Sequence, residues 1–282
     1  MALTDISIIK DILSRHGFRF SKSMGQNFLT AAWVPQQIAE EAMLGEDVGV
    51  LEIGPGIGCL TEQLSPLAKT VVCVELDKAL APVLKETVGS FENVSVIFGD
   101  ILKQDLKALV SEHFSGLRPV VCANLPYNIT SPVLAAILEC KAFEYVTVMI
   151  QREVARRLCA KPGTSDYGAF TLFINWHTEP EILFDVSPGC FMPQPKVTSS
   201  VIRLKRRETP PVEVVSVEKM FKIIRAAFNQ RRKTLPNALS GLGDISKNQV
   251  DEALQSLGLD NRIRGEALGI SEFAALTNTL YG

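Results

Sequence analysis

Two rhythms of apolar and polar positions alternate through the first half of the chain. Short apolar runs rich in β-branched residues occupy 48–53, 70–75, 94–98, 119–123 and 145–150. Each of the first four ends on a residue of different character: Gly54, Glu75, the pair Gly99-Asp100, and Asn124. Helix-like stretches at 60–68, 78–88 and 132–139 separate the runs. Nearly continuous apolar strands divided by helices predict a parallel sheet covered on both faces, an α/β fold of the doubly wound, Rossmann-like kind. Further on the pattern loosens, and 169–176, 181–186 and 199–204 read as additional strands.

The sequence Glu208-Thr209-Pro210-Pro211 interrupts any regular element, since consecutive prolines supply no backbone donor. Three helical patterns follow at 218–229, 246–257 and 271–280. Leu257-Gly258 reads as a helix C-terminus, and Ser271, with Glu272 in the first turn, reads as an N-cap. The expected organisation is therefore an α/β domain over 1–208 and a small all-helical domain over 212–282. A length of 282 residues suits that division.

Composition changes this picture little. An apolar share of 46% supports a sizeable core. No apolar run reaches the length of a membrane span, and the first ten residues lack the basic-then-apolar order of a secretion signal. None of the six cysteines forms a Cys-x-x-Cys pair or has a histidine at ligand spacing, so no metal site is expected. Several sit inside apolar runs, as small buried hydrophobes do, and a reducing, cytoplasmic setting is the expectation. Nothing in the sequence marks an interface, so a monomer is expected.

Charge changes the picture more. Ten basic residues stand against three acidic ones between Arg203 and Lys233, a net of +7 that leaves −9 for the rest of a chain whose total is −2. Lys10, Arg15, Arg19 and Lys22 form a second basic stretch. Localised positive charge on an otherwise acidic chain fits a polyanionic partner as well as a merely solvated face.

Candidate chemistry lies at the strand ends. Glu52-Ile53-Gly54-Pro55-Gly56-Ile57-Gly58 follows the first strand and precedes a helix. Alternating glycines let a backbone turn tightly and approach a ligand. A dinucleotide motif, G-x-G-x-x-G, would need its third glycine where Cys59 stands, which leaves the form E-x-G-x-G-x-G. Glu75, about 20 residues past the glycines, is placed to hydrogen-bond ribose hydroxyls. With Asp100 and Asn124 it marks the carboxyl ends of strands, where open α/β sheets bind ligands. No basic residue sits in the glycine turn, which suits a cofactor without phosphate.

Asn124-Leu125-Pro126-Tyr127 follows the fourth strand directly. An exocyclic amine of adenine is a poor nucleophile because its lone pair is delocalised into the ring. Two acceptors on its N–H groups, the Asn124 side-chain oxygen and the Leu125 carbonyl, draw it toward tetrahedral geometry. Pro126 fixes the turn, and Tyr127 offers a face for the base. Phe191, stiffened by Pro193 and Pro195, is the expected second ring of a sandwich. Stacking returns about 1–3 kcal/mol per ring, comparable to the few kcal/mol of extruding a base.

These motifs, together and in order with Gly25-Gln26-Asn27-Phe28-Leu29, Gln151-Arg152-Glu153-Val154-Ala155 and Arg231-Arg232-Lys233-Thr234-Leu235, resemble the ribosomal RNA adenine dimethyltransferases, most of all those acting on bacterial 16S RNA. The resemblance covers the whole chain. It implies S-adenosylmethionine as methyl donor and two adjacent adenines near the 3′ end of 16S RNA, in the small subunit or its precursor, as substrate. It carries cofactor contacts onto Asn27, Leu29, Gly54, Gly56, Glu75, Leu76, Asp100, Ile101 and Asn124, with Glu75 on the ribose, Asp100 on the cofactor's adenine, and Asn27 and Leu29 as a lid. It carries RNA contacts onto Arg225, Arg231, Arg232 and Lys233. A large-subunit RNA methyltransferase, a DNA adenine methyltransferase and an inactive assembly factor are the alternatives. The basic helical domain argues against the first, the lack of a target-recognition region against the second, and the intact motifs against the third.

Overall fold

In the computed structural model, residues 2–19 and 25–282 are described; Lys22 of the N-terminal basic stretch lies outside them. The chain begins with α1 (Ile6–Arg15), whose first turn is capped by the Asp5 carboxylate accepting from the Ser7 and Ile8 amides. A short strand β1 (Phe28–Leu29) and α2 (Trp33–Glu40) follow.

The sheet is then laid down by β2 (Val48–Ile53), β3 (Thr70–Glu75), β4 (Val94–Phe98), β5 (Arg118–Asn124) and β6 (Tyr145–Gln151). Between them run α3 (Thr61–Leu64), α4 (Ala81–Thr87), α5 (Leu106–His113) and α6 (Thr130–Cys140). β7 (Thr178–Val186), β8 (Phe191–Met192) and β9 (Ser199–Arg206) come later. Seven strands form one sheet in the order β4-β3-β2-β5-β6-β9-β7, and β1 pairs antiparallel with β8. The pairs from β4 to β6 are parallel, while β9 runs antiparallel to β6. Every residue of β2 is buried, as a central strand covered on both faces requires.

The molecule divides into two compact units, the first holding the chain up to Ala155 with Glu181–Arg206, the second Arg156–Pro180 with Arg207–Gly282. This differs from the linear division at 208–212: the chain leaves the first unit within α7 (Arg152–Leu158), and residues 156–180 fold with the C-terminal helices. The reason is α8 (Ala169–His177), a helix where a strand was expected. Its Leu172 and Trp176, with Tyr167, join a core containing Met220, Ile224 and Phe273. An apolar run of this length buried nearly all round has no periodicity by which strand and helix differ.

The rest of the second unit is α9 (Val217–Asn229), α10 (Leu235–Leu239), α11 (Lys247–Ser256) and α12 (Ile270–Tyr281). The cap of α12 is Gly269 rather than Ser271; the Gly269 N–H donates to the Glu272 carboxylate at 3.0 Å.

Candidate active site

After β2 the chain winds outward through β3 and β4, then returns to build β5 and β6 on the other side. The carboxyl ends of β2 and β5 thus flank a topological switch point, the usual ligand site of open α/β sheets. A pocket opens there. Its lining includes all the residues expected to contact a cofactor, namely Asn27, Leu29, Gly54, Gly56, Glu75, Leu76, Asp100, Ile101 and Asn124, and also Leu125, Pro126 and Tyr127.

Phe191 is not part of that lining. It stands in β8 with its backbone opposite Leu29, and at 5% exposure it packs in the core of the first unit. The structure therefore brings only one ring of the expected sandwich, Tyr127, to the pocket. The backbone that carries Phe191 instead anchors β1, the strand that presents Leu29.

The glycine turn divides its labour. Gly54, Gly56 and Gly58 all have positive φ, at 68°, 60° and 91°, where side chains are strained. A Cβ on Gly58 would lie 2.5 Å from a Val88 methyl at the end of α4, so this glycine serves packing rather than ligand approach. Gly56 donates its N–H to Glu75 Oε2 at 3.2 Å, and the Asp77 N–H donates to Oε1 at 2.8 Å. These two bonds orient the Glu75 carboxylate and leave each oxygen a further lone pair for a diol. Burial nevertheless pushes the Glu75 carboxyl above its ordinary value. Glu75→Gln, which replaces one acceptor oxygen with a donor, is expected to weaken cofactor binding about tenfold, a loss of one charge-assisted bond. Isothermal calorimetry with S-adenosylmethionine measures it; unchanged affinity would remove Glu75 from the ribose.

Among the described residues the lining holds three carboxylates, Glu52, Glu75 and Asp100, and no lysine, arginine or histidine. A pyrophosphate would meet no cation among those residues. S-adenosylmethionine carries a nucleoside, a sulfonium and an ammonium but no phosphate, and this donor set fits it. Asp100 Oδ1 caps the Leu102 N–H at 3.0 Å, which fixes the carboxylate at the end of β4. Gln26 was not singled out in the sequence, although its motif was. Its Nε2 donates to Asp77 Oδ2 at 2.7 Å, which ties the segment before β1 to the loop after β3. Asn27 Nδ2 donates to the Gly25 carbonyl at 2.9 Å.

Glu52, within the glycine motif, was not singled out in the sequence either. It is 1% exposed and accepts from Thr61 Oγ1 at 2.6 Å and Cys73 Sγ at 3.4 Å. Burial, opposed by those two bonds, pushes its carboxyl up to about 7. Below the ordinary carboxylate range both folded and unfolded chains hold this proton. Between that range and about 7 only the folded chain does, so stability falls as pH rises through this window and levels off above it. Glu52→Gln is expected to abolish that loss: the gap in melting temperature between variant and wild type moves in favour of the variant from pH 5 to pH 8, on the order of a few kcal/mol in stability. A gap independent of pH would show that Glu52 titrates normally.

At the end of β5 the Leu125 N–H donates to the Met149 carbonyl at 3.1 Å. The Pro126 carbonyl accepts from the Ile129 N–H and, with the Tyr127 carbonyl, from Thr130 Oγ1. The Leu125 carbonyl and the Asn124 side-chain amide have no such partner among the described residues. Two acceptors are thereby left at the pocket, on adjacent residues, with the Tyr127 ring beside them.

In the second unit the basic segment is more neutralised than its composition implied. Lys222 pairs with Asp244 and Arg207 with Glu179. Arg231 Nε donates to Glu266 at 2.8 Å, and its NH2 donates to the carbonyls of Thr164 and Ser165 at 3.2 and 2.8 Å. Arg225, Arg232 and Lys233 are exposed and carry no ion pair among the described residues. Among those residues, no helix is long and apolar enough to cross a membrane, and no cluster of three or more His, Cys, Asp or Glu side chains is placed to hold a metal.

Fold and pocket together place the protein among the S-adenosylmethionine-dependent methyltransferases. Residues 17–280 match the model of the ribosomal RNA adenine dimethylases, and the chain belongs to that family. It is 47% identical over 276 residues to the ribosomal RNA small subunit methyltransferase A of Geobacillus thermodenitrificans, covering 96% of this chain and 94% of the relative. The protein of the same name from Alkaliphilus oremlandii is 45% identical over 274 residues, covering 96% and 95%. Among solved structures, a dimethyladenosine transferase from Plasmodium falciparum superposes with a TM-score of 0.74 at 25% identity, covering 88% of this chain and 95% of that one. The 23S rRNA methyltransferase ErmE superposes with a TM-score of 0.70 at 28% identity, covering 90% and 100%.

Proposed function

We propose that this enzyme dimethylates N6 of two adjacent adenines near the 3′ end of 16S RNA, within the small ribosomal subunit or its precursor. The observation that carries the reading is the pair of acceptors without a partner among the described residues, Asn124 Oδ1 and the Leu125 carbonyl, in a pocket lined by carboxylates. S-adenosylmethionine supplies a methyl group made electrophilic by its sulfonium. Asn124 and Leu125 accept the two N6–H groups, which localises the nitrogen lone pair for in-line attack. Tyr127 supports the base, and Glu75 holds the ribose of the donor. Catalysis then comes mainly from positioning, and the proton of the methylated amine leaves to water. The choice of small-subunit RNA is supported by the names of relatives about 45% identical over nearly the full chain.

The test is mass spectrometry of RNA nucleosides after incubating undermodified 30S and 50S particles with the protein and S-adenosylmethionine. N6,N6-dimethyladenosine is expected in 16S RNA alone. The same product only in 23S RNA would move the enzyme to the large subunit. Tight small-subunit binding without methylation would favour an assembly factor.

A further inference from the structure

We propose that Ser199 is a positioning residue that pins the phenol of Tyr127 and so fixes the plane of the ring on which the target base stacks. The proposal rests on the adenine-binding role of Tyr127 given above. Stacking needs only an aromatic face, which phenylalanine would supply equally well; the hydroxyl of Tyr127 calls for a separate account. That hydroxyl lies 2.7 Å from Ser199 Oγ. Ser199 is fully buried, and Tyr127 is the one partner of its hydroxyl among the described residues. A fully buried hydroxyl is costly unless it is bonded, and the tyrosine supplies that bond to Ser199.

The topology explains how a residue so distant in sequence reaches the site. β9 runs antiparallel to β6 with Ser199 opposite Gln151, while Met149 of β6 lies opposite Asn124. The first residue of β9 therefore rises to the carboxyl edge of the parallel strands, level with the Asn124 turn. Alternation along β9 sends the next hydroxyl elsewhere: Ser200 Oγ donates to Asp185 at 2.5 Å. Tyr127 is thus held at both ends, by the turn at its backbone and by Ser199 at its hydroxyl. Burial keeps the phenol above its ordinary value, which favours the neutral hydroxyl.

The test compares Ser199→Ala, Ser199→Thr, Tyr127→Phe and the double variant Ser199→Ala/Tyr127→Phe in the full chain. In single-turnover methylation of RNA, Ser199→Ala is expected to be slower by about 10–100-fold, since small displacements of a positioned group cost this much. Affinity for S-adenosylmethionine should be unchanged, Ser199→Thr should restore the rate, and the double variant should be no slower than Tyr127→Phe. A wild-type rate in Ser199→Ala, a loss confined to cofactor affinity, or multiplicative losses in the double variant would each overturn the proposal. A second readout needs no RNA. With tyrosine labelled at Cζ, the four tyrosines give few signals, and Tyr127→Phe identifies one of them. That signal should move in Ser199→Ala and return in Ser199→Thr; an unmoved signal would show that no bond to Ser199 exists in solution. Wild-type protein that methylates no RNA while this signal responds would count against the substrate reading and leave the pin standing.

Discussion

Asn124→Ala is expected to lower the rate of methyl transfer by about 10²–10³-fold, the range found when one preorganised hydrogen-bonding group is removed from a reacting centre. RNA affinity should stay close to wild type. The amine begins conjugated with its ring and gains its lone pair only as it pyramidalises. A bond from N6–H to Asn124 Oδ1 therefore strengthens on the way to the transition state, and an interaction of that kind appears in kcat rather than in binding. The Asn124 side chain makes no hydrogen bond within the described protein, so its truncation leaves no partner orphaned and little folding cost is expected. Asn124→Asp keeps an acceptor and should recover part of the rate. Single-turnover methylation beside filter binding of the same RNA measures both quantities. Equal losses in rate and affinity would mean that Asn124 merely helps hold the substrate.

Much of this site was legible before any fold was known, for a physical reason. Strands β2 to β5 are parallel, with β4 at the edge of the sheet, and they read as short apolar runs; the residue that ends each run is the residue at the ligand crevice. Gly54, Glu75, Asp100 and Asn124 could be found from that punctuation alone. What escaped the sequence depends on pairings between distant segments. Ser199 looks like any serine at the edge of an apolar run until the antiparallel register with β6 places it beside Tyr127. Glu52 reads as part of a motif, yet its protonation follows from burial against Thr61 and Cys73. Phe191 carries a functional-looking context of prolines, but pairing of β8 with β1 turns it into the core. At 169–177 an apolar helix imitated a strand, and the limits of the two units shifted with it.

The basic segment presents the same lesson in a form that experiment can separate. Three adjacent cations, Arg231, Arg232 and Lys233, look equivalent in sequence, but only two of them face solvent without an ion pair among the described residues. Arg231 reaches across the second unit to Glu266 and to the carbonyls of Thr164 and Ser165, so it holds residues 156–180 to the C-terminal helices. Replacing Arg225, Arg232 and Lys233 together by alanine is expected to remove up to three phosphate contacts. Each contact contributes roughly 0.7–0.9 to the slope of log affinity against log salt, so the slope should flatten by about 2–3, with an affinity loss on the order of 10² near 0.1 M salt. Melting temperature should barely change, because these side chains are exposed and make no ion pair among the described residues. Arg231→Ala should do the reverse: the salt slope stays near wild type, while the melting temperature falls by several degrees as two carbonyls and a carboxylate lose their donor. Fluorescence titrations of labelled RNA at a series of salt concentrations, paired with thermal melts, resolve the two patterns. A triple variant with an unchanged salt slope would place the RNA-binding face elsewhere, and an Arg231→Ala protein that melts normally but loses slope would return Arg231 to the RNA surface.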